Sequence, residues 1–254
     1  MDPERATEAS SARTDVVLTW GKAIGVLAAA RALGAVDPTG LLSGNLAAVA
    51  ALAFVLLPER SLRARGETWA AYGLPWWGAA DPRTWRAWGR GALRALAVCA
   101  VVFPLFALAW WGYATVLPRI AGEVPHLLGP YARAPRFEPR LPGGLVLLAL
   151  SQILVVALPE EMFYRGWMQT TWARGGPSVR VLGADIGRGF LATQLLFALG
   201  HLVSLQPWRV ATFFPGLLFG WVRARTGDLA APVVVHALAN LFLVALEASF
   251  YGAR

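Results

Sequence analysis

Residues 159 to 165, Pro-Glu-Glu-Met-Phe-Tyr-Arg, carry two carboxylates and a guanidinium to the end of an apolar stretch that runs from Gly143 to Leu158. An ionisable side chain near the centre of a bilayer costs roughly 2.5 to 3.5 kcal/mol even on lenient insertion scales, so several together should face a protein-lined or wet cavity and mark function. Later apolar segments hold Gln194 with His201, and His236 with Asn240. On a helix Glu161 and Arg165 are four apart and share a face, which predicts an ion pair. Glu160 points about a hundred degrees away from Glu161 and is left free for chemistry. Pro159 should bend the axis beside the carboxylates, because it removes a backbone hydrogen bond. His236 and Asn240 also share a face, and both can donate hydrogen bonds while uncharged, as stabilisation of an oxyanion in a dry site requires. His201, in Phe197-Ala-Leu-Gly-His201, takes its weight from the company of the other groups.

Together these side chains supply what hydrolysis of a peptide bond needs: a base for water, a second group to orient that water, and donors for the oxyanion. Covalent catalysis is disfavoured. No Gly-x-Ser-x-Gly is present, Cys99 has no polar neighbour in sequence, and Ser151 and Ser204 have no evident base. The bland alternatives are that the acids only hold the bundle together through Arg165, and that His236 and Asn240 make interhelical hydrogen bonds of about 0.6 kcal/mol each. Two histidines and a glutamate could also hold zinc with a position open for water. Against that, His-Glu-x-x-His is missing and Asn240 is a poor zinc ligand, so neither a metal nor another cofactor is expected.

The elements that must position these groups are apolar helices. The 254 residues are 57% hydrophobic and 15% charged, and several segments approach the roughly 20 residues that cross a bilayer. The expected fold is all-α: a polytopic transmembrane bundle of about seven spans, with six or eight defensible. The spans read as residues 16–36, 41–57, 92–117, 143–172, 190–205, 209–223 and 229–251, preceded by a polar tail over 1–15. Residues 16–254 form a single membrane-embedded domain, with its catalytic core at about 143–250. Between Pro58 and Arg90, arginines alternate with Trp69, Trp76, Trp77, Trp85 and Trp88, as in an amphipathic segment lying along headgroups. The loop from Pro118 to Pro142 is too irregular to cross lipid.

The net charge of +8 is almost all arginine, Lys22 being the only lysine, and sits mostly between the apolar segments. That distribution suits lipid headgroups and topology, and no soluble basic face offers itself to nucleic acid. The arginine-rich loops put the N-terminus in the cytoplasm by the positive-inside rule. The Arg, Ala, Gly and Pro bias suggests GC-rich coding DNA and a bacterial inner membrane. Oligomeric state is not readable.

In order and spacing, Glu160-Glu161-x-x-x-Arg165, Phe197-x-x-x-His201 and His236-x-x-x-Asn240 resemble the three signature motifs of the CPBP family of intramembrane proteases, also called the Abi or CAAX-protease-like family. Phe214 to Asn240, with Gly220, Arg223, Thr226-Gly227 and Pro232, is similar to the third-motif region, and Arg60 to Leu74 looks like the arginine-rich approach to the core. The resemblance covers roughly residues 60 to 250. It implies a glutamate-dependent intramembrane endopeptidase in which Glu160 and His201 activate water, His236 and Asn240 form the oxyanion hole, and Glu161, Arg165 and Phe197 support them. The implied partners are a membrane protein or peptide substrate and the lipid bilayer. Eukaryotic members trim prenylated CaaX tails, whereas bacterial ones include sorting enzymes such as the myxosortases. A non-catalytic immunity or scaffold protein binding a transmembrane peptide is the rival from another class, with a proton-coupled transporter behind it.

Overall fold

The computed structural model describes residues 3–120, 136–174 and 176–252. Among them are seven long helices: α1 (Pro3–Gly34), α2 (Leu46–Ala64), α3 (Pro82–Ile120), α4 (Leu145–Ala173), α5 (Arg188–His201), α6 (Phe213–Thr226) and α7 (Ala230–Tyr251). By length and composition α1, α3, α4 and α7 can cross a membrane. The other three of the seven expected spans are shorter or more charged. With 14 residues each, α5 and α6 reach only about 21 Å at 1.5 Å per residue, short of a hydrocarbon core of about 30 Å. The expected span at 209–223 begins instead as a tight turn, Pro207–Thr212, before α6.

Several boundaries differ from the expectation for identifiable reasons. The polar tail is not a separate element, because α1 runs unbroken from Pro3 and residues 4–9 are rich in the alanine and glutamate that favour helix. Nor is the Trp-rich stretch one amphipathic segment. Its start completes α2, its end opens α3, and between them the turn Trp69–Tyr72 folds into the body with Tyr72 fully buried. Trp76, Trp77 and Trp85 stay half exposed. Gly73 takes a left-handed conformation against Arg223, whose Nη2 donates to the Tyr72 carbonyl (3.1 Å), and the Leu229 amide donates to the Gly73 carbonyl (2.9 Å).

Downstream of α4, where only a loop was expected, strands β1 (Ser178–Val181) and β2 (Ala184–Gly187) pair antiparallel around Leu182 and Gly183. Both turn residues have positive φ, 48° and 78°, as a two-residue turn matching strand twist demands. Of the long loop, residues 121–135 lie outside the described residues. Its remainder lies along the end of α7, the Arg136 and Glu138 amides donating to the carbonyls of Phe250 (3.0 Å) and Ser249 (2.7 Å).

The bundle is organised around α4. Phe163, Tyr164 and Trp167 pack towards Val16 and Ala23 of α1 and Phe54 and Leu62 of α2. Ala157 and Met162 meet Val233 and Ala237 of α7. Helix α7 in turn lies along α3, with Phe103 and Phe242 stacked at 4.4 Å. Outward faces carry Leu93, Leu96, Val101 and Leu105 on α3 and Val146, Leu147, Leu150 and Leu154 on α4, all exposed. An apolar exterior around a bundle suits lipid as the solvent.

Where α3 crosses α7, small residues set the separation. A Cβ on Gly91 would come within 2.4 Å of Ala230 Cβ and 2.9 Å of its backbone carbon. Gly91→Val should therefore destabilise the protein by roughly 1–3 kcal/mol through overpacking. Thermal melts in detergent check this, and an unchanged midpoint would show that the crossing is not tight.

Candidate active site

Helix α4 is widened on both sides of its acidic turn. The stretches Gln152–Ala157 and Met162–Met168 have i→i+5 character, and only Leu158–Glu161 between them is ordinary α-helix. The disturbance expected from Pro159 takes this form: its missing N–H is accommodated by widened turns in a helix that continues through it. Such bulges re-aim side chains. Glu161 is fully buried, while Glu160 next to it keeps 16% of its side-chain surface exposed.

The expected Glu161–Arg165 pair is present at 2.9 Å with both side chains fully buried. Arg165 reaches further than its own helix: Nη2 donates to Gln194 Oε1 on α5 (3.0 Å) and to the Gly216 carbonyl on α6 (3.2 Å). Its guanidinium lies 4.1 Å from the Phe197 ring centroid and 5.3 Å from that of Phe219. Gln194 Nε2 donates to Gln169 Oε1 (3.0 Å), and Gln169 Nε2 to the Gly220 carbonyl (3.0 Å). Room for this layer comes from Gly220, where a Cβ would stand 2.5 Å from Gln194 Nε2 and 2.9 Å from Gln169 Oε1.

His236 stacks on Phe219 at 4.5 Å and places Nδ1 2.8 Å from Glu161 Oε1. A carboxylate oxygen there accepts, so Nδ1 carries the hydrogen. His236 Nε2 then faces Glu160 Oε2 at 3.8 Å, too long for a direct hydrogen bond. With Nδ1–H committed, a neutral His236 presents a lone pair at Nε2 and donates from it only when protonated on both nitrogens. This revises the expectation of an uncharged donor at that residue.

His201, at the end of α5, places Nδ1 2.8 Å from the Phe197 carbonyl. Since a carbonyl only accepts, His201 Nδ1 donates and Nε2 keeps its lone pair. Glu160 and His201 line one cavity of 250 Å³, together with Tyr164 and Phe54. Asn240 is not among its lining residues. Its Nδ2 donates instead to Gln152 Oε1 on α4 (2.8 Å), leaving the second amide hydrogen uncommitted. The structure thus brings Glu160, Glu161, Arg165, His201, His236 and Phe197 into contact or a shared cavity, and sets Asn240 one helical turn from His236 against Gln152.

Sequence reasoning gave no role to Gln152, Gln169 or Gln194. The detectable signal for Gln169 and Gln194 was a long polar side chain inside an apolar segment, which is costly unless hydrogen-bonded. Among the described residues no group of three or more His, Cys, Asp or Glu side chains is placed to hold a metal ion.

Residues 142–242 match the family model described as Rce1-like, type II CAAX prenyl endopeptidase. That segment, on an all-helical membrane bundle, is similar to the CAAX-protease family, a family of proteases, whose motifs the chain resembles. The match does not reach to the myxosortase branch. No curated protein and no solved structure matches the chain.

Glu161→Ala leaves Arg165 and His236 Nδ1 without their shared acceptor inside the bundle. Breaking a buried pair by removing one partner costs about 3–5 kcal/mol, so a large fall in melting temperature in detergent is expected. A midpoint within a degree of the unaltered protein would mean that water reaches Arg165.

Proposed function

We propose that this protein is an intramembrane glutamic endopeptidase that hydrolyses a peptide bond of a membrane-anchored or C-terminally sorted protein. The observation that carries this reading is the shared cavity of Glu160 and His201, with His201 Nε2 left free by the Nδ1–H bond to Phe197. Water within reach of both gives a proton to Glu160 as its oxygen attacks the carbonyl carbon. The C–N bond then breaks, and the proton passes to the departing amine. Charge on the tetrahedral oxygen is met by the uncommitted Asn240 amide hydrogen, one helical turn from His236. Glu161 and Arg165 keep the acidic turn and His236 in register. Juxtamembrane arginines support a bacterial inner-membrane location with a cytoplasmic N-terminus.

The test is cleavage in proteoliposomes. Glu160→Ala and His201→Ala should each abolish it while the protein remains inserted and folded, and Asn240→Ala should slow turnover by on the order of a hundredfold, as for loss of one oxyanion donor. Normal cleavage by the Glu160 or His201 variant removes the assignment. Comparing membrane and surface proteomes of strains carrying the unaltered and Glu160-substituted protein would name the substrate by its changed terminus. The reaction should run at full rate in chelator. Loss of activity restored by zinc would replace the glutamic mechanism with a metal-dependent one.

A further inference from the structure

Two arginines outside the family motifs face the same space as the proposed base. The 250 Å³ cavity that holds Glu160 and His201 is also lined by Arg31 of α1 and Arg209 of the turn before α6. Arg31, Leu46 and Val203 line a second cavity of 500 Å³ as well, whose remaining wall includes Ala28, Ala35 and Leu205. The two cavities therefore meet at Arg31, with the carboxylate–imidazole pair on one side and an apolar pocket on the other.

Arg31 sits in the last turn of a helix otherwise apolar enough to span lipid. A cation so placed is expensive and has a partner or a task. Among the described residues its guanidinium makes no hydrogen bond or ion pair. Arg209 is held from behind, its Nε donating to Gln206 Oε1 at 2.5 Å. Among the described residues Glu160 is the only acidic one lining either cavity, so the two arginines outnumber it there.

We propose that Arg31 and Arg209 form a carboxylate-binding subsite of the active centre, selecting peptides that present an acidic group a short distance from the scissile bond and an apolar side chain to the adjoining pocket. The proposal rests on the protease reading of Glu160 and His201. A planar guanidinium binds a carboxylate through paired N–H donors, and exclusion of water strengthens the bond. The acid can be the free C-terminus of the chain or an Asp or Glu side chain.

The experiment uses the full-length protein carrying Glu160→Gln, reconstituted in phosphatidylcholine vesicles, so that binding is read without cleavage. Three fluorescent apolar peptides are compared: one with a free C-terminal carboxylate, the same peptide amidated, and the amidated peptide with one internal Glu. An acidic peptide should bind about ten- to a hundredfold tighter than the neutral amide, as for a hydrogen bond to a charged group. Preference for the free terminus or for the internal Glu names the source of the carboxylate. Adding Arg31→Gln should erase the difference, Arg31→Lys should restore part of it, and Arg209→Gln should reduce it. Equal affinity for all three peptides, or no binding of any, overturns the subsite. So does a preference that disappears when phosphatidylglycerol is added, since the arginines would then serve lipid headgroups. A preserved acid preference in a protein whose Glu160 form cleaves none of the peptides would count against the protease reading and leave the subsite standing.

Discussion

A guanidinium sealed away from water must find its acceptors within the protein, and Arg165 finds them on three helices: Glu161 on its own, Gln194 on α5 and the Gly216 carbonyl on α6. Four of its five N–H groups belong to the two terminal nitrogens that make these bonds, while Nε is left without a partner. The rings of Phe197 and Phe219 partly offset that deficit by cation–π attraction. Phe219 also stacks on His236 and Phe197 carries the carbonyl that orients His201. Displacing Arg165 would therefore disturb both histidines, although it hydrogen-bonds to neither. In a membrane the alternative to these bonds is hydrocarbon rather than water, which is why the layer is glutamine-rich and why glycine admits it at position 220.

Adjacent carboxylates in one helical turn are driven to different roles by geometry alone. The angle between successive side chains sends one inward and the other to the cavity, and the widened turns before and after the pair let the helix hold both without breaking. Glu161 is consumed by structure: one oxygen serves Arg165 and His236 together. Both carboxylates keep a buried Oε2 without a hydrogen-bond partner, but only Glu160 lines the cavity with His201. The 3.8 Å between Glu160 Oε2 and His236 Nε2 is a separation that a single water can touch from both sides.

Much of this was legible in the chain because it is local. The pair four apart on a helix, Glu161 with Arg165, follows from 3.6 residues per turn and needed no tertiary knowledge. The apolar helices, and the all-α class with them, follow from hydropathy. Contacts between helices did not follow. Nothing in sequence spacing says that Asn240 meets Gln152, 88 residues earlier, or that Arg223 caps the turn at Tyr72. Within the Trp-rich segment the inward fold escaped notice, because Tyr72, Trp69 and Leu74 pack on an apolar body in a stretch whose arginines advertise the surface. The hairpin at 178–187 escaped because each strand has four residues, too few for an alternation to stand out.

The span that hydropathy defines least clearly is the one that closes the site. Lys22 and Arg31 lower the apolar character of α1, yet this helix brings Leu27 and Arg31 to the cavity of Glu160 and His201. On the way, Ile24 and Trp20 approach Gly200, where a Cβ would stand 3.2 Å from Ile24 Cδ1 and 2.8 Å from the Tyr164 hydroxyl. A side chain at Gly200 would have to displace α1 or Tyr164, and either movement would open the cavity wall beside His201. The charges that weaken α1 as a membrane anchor are thus tolerated because one of its faces meets a hollow rather than lipid, and a helix of that kind is bound less by its solvent than by what occupies the space it covers.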